Sequence, residues 1–166
     1  MRKIAIAVAA ALCLSACATL GALGALVRPL RIEAAGDRPA ELRLGGRLGL
    51  PDAATVRLWA RVENPNTFGL TLSAIEGTLY LEESRAAAVE FPLGLPLEPR
   101  TEQVIPLDVS VRFADLPGLA GALGHAIGGA PLGYRLEGRI TLDAGALGTP
   151  TFGPSTLLRG EVRALR

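Results

Sequence analysis

Alternation of period two constrains this chain more than any other feature of its sequence. Val56, Leu58, Ala60 and Val62 are set against Arg57, Trp59, Arg61 and Glu63. Such a segment can bury one face and wet the other only as a strand. The pattern returns where Ile32 and Ala34 face Arg31 and Glu33, and in Leu42, Leu44, Leu48 and Leu50, which share even parity. It returns again in Ile105 to Phe113 and in Tyr134 to Leu142, and a last strand is expected over Thr156 to Ala164. Val89, Phe91, Leu93, Leu95 and Leu97 also alternate, but Pro92 and Pro96 lack donors, which makes this segment an edge strand or an extended cover. Leu70 and Leu72 are even while Ile75, Leu79 and Leu81 are odd. One extra residue near Ser73-Ala74, a β-bulge, would realign them.

About seven or eight short strands separated by turns describe an all-β fold, an antiparallel β-sandwich. The 20 glycines and 12 prolines suit such a turn-rich architecture. One segment departs from the pattern. Asp115-Leu116-Pro117 offers a cap and a first-turn proline, Leu116, Leu119, Leu123 and Ile127 fall at helical spacing, and Gly128-Gly129 ends the run. One short late helix is expected there.

The N-terminus reads as an address. Arg2 and Lys3 precede the uninterrupted apolar stretch Ile4 to Leu14, and Leu14-Ser15-Ala16-Cys17 follows. A charged start, an apolar middle and small residues at the cut describe a secretory signal peptide. The cysteine after Leu-Ser-Ala resembles a bacterial lipoprotein signal, in which that cysteine becomes the acylated N-terminus. Residues 1–16 are then signal peptide, 17–28 a lipidated tether and 29–166 the domain. The alternative is an uncleaved anchor, since no residue from Ile4 to Val27 is charged and about 20 apolar residues can span a bilayer. Ala18 after Cys17, by resemblance to the sorting rule of enteric bacteria, suggests the outer membrane facing the periplasm. Cys13 leaves with the signal peptide and Cys17 carries palmitate-like chains, so the mature chain keeps no second cysteine for a disulfide.

Asn64 and Asn66, the only asparagines, flank Pro65 where the clearest strand must stop. Proline keeps Asn64 extended and cannot continue a ladder. Asn66 tolerates left-handed geometry, and its side chain can bond a backbone N–H two residues on. The strand ending Glu63-Asn64-Pro65-Asn66, the later Gly77-Thr78-Leu79-Tyr80 and the run Tyr134-Arg135-Leu136-Glu137-Gly138 together resemble the late embryogenesis abundant type 2 family, also called the WHy domain. The resemblance covers roughly Leu30 to Val162. It implies a fibronectin-III-like or immunoglobulin-like sandwich, an association with desiccation and stress tolerance, and no agreed catalytic site.

Residues with chemistry are sparse. His125 is the only histidine, so no triad or multi-histidine metal site can be assembled, and neither metal nor cofactor is expected. Formal net charge is +1, so nothing points to nucleic acid, which needs a clustered basic face, and none is expected as a partner. The candidate binding surface is Arg57, Trp59 and Arg61, able to meet anionic headgroups or carboxylates through cation–π and ionic contacts. The same stripe can instead stabilise its own neighbours across strands. The sequence therefore reads as a monomeric, non-enzymatic envelope lipoprotein held to the membrane by its lipid. It would protect a stressed client or an envelope component. Its rival is an accessory subunit of a lipid-transport or secretion assembly that docks an envelope protein partner.

Overall fold

The computed structural model describes residues 26–47, 50–112, 124, 126 and 128–164. Cys17 and His125 lie outside the described residues, as does most of the expected late helix. Eight strands follow in chain order: β1 (Arg31–Ala34), β2 (Ala40–Arg47), β3 (Leu50–Glu63), β4 (Leu70–Leu81), β5 (Ser84–Leu97), β6 (Glu102–Arg112), β7 (Leu132–Asp143) and β8 (Thr151–Ala164). The alternation at 56–62 becomes the centre of β3, where Val56, Leu58, Ala60 and Val62 are fully buried. Val56, Leu58 and Val62 each contribute roughly 1.5–3 kcal/mol relative to exposure, and the smaller Ala60 contributes less.

β3 organises the first half of the sandwich. One of its edges carries β6 along its length, while the other is shared by β1 near the C-terminal end and β2 near the N-terminal end. The second half runs β8-β7-β4-β5. Leu72, Ile75, Leu79, Leu136, Leu142 and Leu158 face the β3 residues in one continuous core. β2 and β8 join the halves through Ala40 to Leu42 and Val162 to Ala164. That pairing is parallel, so the sandwich is mixed and departs from the fully antiparallel sheet expected. The chain between these strands is nearly the whole domain, long enough for the crossover that a parallel pair requires.

The parity shift in β4 has the expected cause. Leu72 pairs with Leu142 and Ala74 with Thr141, so Ser73 is the extra residue relative to β7. Against β5 the register moves from Leu72–Leu95 to Ala74–Pro92, and Gly94 at φ 54° absorbs that further step. β5 is an edge strand paired only with β4. Its free side approaches β6, where Gln103 Nε2 donates to Pro96 O at 3.0 Å. Pro92 and Pro96 on β5 and Pro106 on β6 supply no N–H, which disfavours zipping these edges into a closed barrel.

Alternation alone overextends β2. The strand ends at Arg47 after a register shift at Gly45/Gly46, Leu50 already begins β3, and Leu48 lies outside the described residues. Of the expected late helix, Gly124 and Ala126 are helical, Ala126 is buried, and Gly128 N donates to Gly124 O at 3.1 Å. The one helical element complete among the described residues is a 3-10 turn at Gly145–Leu147, too short to show in hydrophobic periodicity. No helix among the described residues is long and apolar enough to cross a membrane.

Candidate functional site

The Asn-Pro-Asn turn forms the most concentrated polar structure in the domain. Asn64 is 0% and Asn66 3% exposed, the buried polar side chains of an otherwise apolar core. Asn64 Nδ2 donates to Phe68 O at 3.0 Å, Glu98 O at 3.0 Å and Leu97 O at 3.3 Å. Its Oδ1 accepts from the Asn66 backbone N and from Asn66 Nδ2, both at 3.0 Å. The Asn64 backbone N donates to Thr101 O at 2.9 Å. Both amide hydrogens and both oxygen lone pairs of Asn64 are therefore used.

Asn66 completes the clamp. Its Oδ1 accepts from Arg28 N at 2.8 Å, and its Nδ2 donates to Arg28 O at 3.0 Å. The amide thus pairs with Arg28 much as a neighbouring strand would. Its carbonyl accepts from Arg100 N at 3.2 Å. Two side chains tie the end of β3, the end of β5, the β5–β6 turn and the chain segment before β1.

The side-chain role expected of Asn66 falls to Asn64. The non-glycine residues at positive φ among the described residues are Glu82, Glu83 and Arg100, so Asn66 is not left-handed. The side chain that bonds the N–H two residues on belongs to Asn64. The turn is legible in the sequence but its partners are not, because Arg28 and Leu97 to Thr101 are distant in the chain and contribute only backbone atoms.

The arginine–tryptophan stripe lies on the outer face of β3. Arg57 holds Asp108 on β6 through two 2.7 Å bonds, Nε to Oδ1 and Nη2 to Oδ2. Arg61 reaches Asp37 at 3.1 Å and Glu102 at 3.4 Å. The Trp59 ring lies 4.7 Å from the Arg38 guanidinium and 6.0 Å from that of Arg57. Each arginine of the stripe already has a carboxylate, so the arrangement matches the cross-strand reading of these residues. Arg38, Asp37, Asp108 and Glu102 carry no signal in the sequence, because their proximity to the stripe depends on register.

The Arg57 hydrogen bond holds the Asp108 carboxyl below its ordinary range, and Asp108 in turn raises the Arg57 guanidinium. The unfolded chain therefore binds a proton at Asp108 before the folded one does. The pair's contribution is complete above about pH 4 and is lost as pH falls through the lower folded value. Asp108→Asn is expected to show a smaller loss of urea midpoint between pH 7 and pH 3 than the parent. An identical loss in both proteins would refute the coupling.

A second feature lies on β4 and β7. Gly77 and Gly138 pair directly, and a Cβ on either would strike the opposing carbonyl, of Glu137 or Glu76, with the partner glycine Cα only 2.9 Å away. Above them, Glu76, Thr78, Tyr80, Glu90, Glu137 and Arg139 line an open groove of about 620 Å³. Arg135 stands beside two of these residues, at 5.0 Å from the Tyr80 ring and 3.0 Å from Glu137 Oε1. The β4–β5 hairpin beyond it turns through Glu82 and Glu83, at φ 45° and 64°, the geometry of a two-residue type I′ loop. Among the described residues no group of three or more His, Cys, Asp or Glu side chains could hold a metal ion.

Comparison with known proteins accords with this geometry. The chain superimposes on a solution structure from Arabidopsis thaliana with a TM-score of 0.59 at 19% identity, covering 78% of this chain and 80% of that one. A crystal structure from Archaeoglobus fulgidus covers 75% of this chain and 92% of its own, at 14% identity and a TM-score of 0.45. No curated protein matches the chain in sequence. The family model for late embryogenesis abundant protein matches residues 60–156, a span running from β3 through the asparagine clamp and the glycine pair into β8. This chain belongs to the late embryogenesis abundant type 2 family.

Proposed function

We propose that this protein is a non-enzymatic lipoprotein of the bacterial cell envelope, anchored through Cys17, whose domain binds or protects envelope components under water stress. The observation that carries the proposal is the coincidence of a lipobox, Leu14-Ser15-Ala16-Cys17, with a late embryogenesis abundant domain whose first strand follows soon after it. A single acyl chain anchors marginally, and the several chains of a lipoprotein anchor stably. Cys17→Ala is expected to abolish fatty-acid labelling and move the protein from the membrane to the soluble fraction. A variant that stays membrane-bound with unchanged labelling refutes the anchor. Protection of a test enzyme during drying by the purified protein addresses the stress role, and absence of protection counts against it.

A second reading, an accessory subunit of an envelope transport or secretion assembly, is favoured by one observation. Val89, Phe91, Leu93 and Leu95 on the free edge strand β5 pack against the core yet remain half-exposed. An incoming strand or helix could cover them. A partner that co-purifies in stoichiometric amount and is lost on Phe91→Asp would support this reading over the first.

A further inference from the structure

We infer that the end of the sandwich bearing the asparagine clamp is the surface apposed to the phospholipid bilayer, and that the Asn66 amide is the latch that holds it there. This rests on the lipid anchor at Cys17 proposed above. The loops 64–69, 98–101 and 144–150 share one end of the molecule, because Glu63 pairs with Glu102, Leu70 with Leu97 and Thr71 with Asp143. The chain enters at this same end, where Arg31 pairs with Glu63 and both backbone groups of Arg28 are held by Asn66.

Val27 and Leu30, on either side of Arg28, are 4% and 7% exposed, whereas Leu26 is 63% exposed. Val27 is thus the first described residue seated in the core, and only the ten residues Cys17 to Leu26 separate it from the proposed anchor. Fully extended, ten residues reach at most about 35 Å. The far end, marked by the Glu82-Glu83 turn, lies beyond the 12 residues of β4, a further distance of about 40 Å. Exposed charges of both signs stand at each end, Arg28, Arg100 and Glu98 at the clamp and Arg85 with the Arg135-paired Glu83 at the far turn, so the reach of the tether and not charge sets the polarity.

The test uses the mature lipoprotein purified from membranes, with fatty-acid incorporation verified first. Once Cys17 is acylated, no other cysteine remains, so single reporters can be placed by Thr67→Cys, Thr149→Cys and Arg85→Cys. The protein is bound to vesicles of phosphatidylethanolamine and phosphatidylglycerol carrying a headgroup acceptor dye. Energy transfer from Thr67→Cys and Thr149→Cys is expected to exceed that from Arg85→Cys by at least about twofold, given the two distances above. Equal or reversed transfer with fatty acid present overturns the inference, whereas absence of fatty acid refutes the anchor itself. Asn66→Ala is expected to narrow the difference by freeing residues 27–30. Should that variant fail to fold, ten Gly-Ser residues inserted between Ala25 and Leu26 should lower clamp-end transfer without changing the melting temperature. Unchanged transfer after the insertion also overturns the inference.

Discussion

Asn64→Ala is expected to destabilise the domain by at least about 4 kcal/mol, measured as a shift of the denaturant midpoint. The substitution leaves five groups without their partner at once: the carbonyls of Phe68, Leu97 and Glu98, and the backbone and side-chain N–H groups of Asn66. Each buried group left unsatisfied costs about 1–3 kcal/mol, and a domain has only about 5–15 kcal/mol in total. Asn64→Asp separates shape from chemistry. An aspartate fits the space but, when ionised, points an oxygen at three carbonyls and donates nothing. Its pKa in the folded state must rise, so the folded variant binds a proton that the unfolded chain does not bind until lower pH. The Asn64→Asp protein should therefore recover stability as pH falls from 7 toward about 5, while the parent does not. A pH-independent deficit, or an Asn64→Ala protein with a parental midpoint, would show that the clamp is not the source of stability.

The second large effect is expected at the β4–β7 glycine pair. Gly138→Ala should cost about 3 kcal/mol, the upper end of the usual range for overpacking. The new methyl meets the Glu76 carbonyl and the Gly77 Cα, backbone atoms that cannot rotate away as a side-chain tip would. Gly153 adds to the constraint, because its φ of 115° already suits glycine alone and its own Cβ would lie 2.7 Å from Gly138 O. Gly77→Ala should behave similarly, and the double variant should cost less than the sum, since both residues strain the same contact. Gly36→Ala is the control, because no heavy atom lies within 4 Å of the place its methyl would occupy. Its effect should stay within about 0.5 kcal/mol. If Gly138→Ala unfolds at the same denaturant concentration as Gly36→Ala, the close strand approach is not real.

These two sites differ in how far the sequence reveals them. The run Asn64-Pro65-Asn66 is visible as a strand terminator, because proline and asparagine act through local backbone chemistry. Its energetic importance is not visible, because its partners are carbonyls and N–H groups that carry no residue signature. Gly77 and Gly138 stand in two motifs 61 positions apart. Only the register of β4 against β7 brings them face to face. The same reason explains the Arg57–Asp108 pair, whose members are separated by 51 residues. The Glu82-Glu83 turn escapes for another reason: two-residue hairpins normally announce themselves with Asn-Gly or Asp-Gly, and glutamate at positive φ costs about 1–2 kcal/mol per residue.

By itself the sequence determined most of the strand segments, the buried faces of β3, β4 and β7, where β4 bulges, and that β5 is an edge strand or an extended cover. Each of these follows from side-chain polarity and backbone donors within a few residues. The tertiary structure alone decided the parallel closure between β2 and β8, the passing of the side-chain turn bond from Asn66 to Asn64, and the seating of Arg28 inside the clamp. Those outcomes depend on which backbone groups meet across long chain separations. Every peptide unit presents the same donor and acceptor, so only the folded register selects the pairs that form.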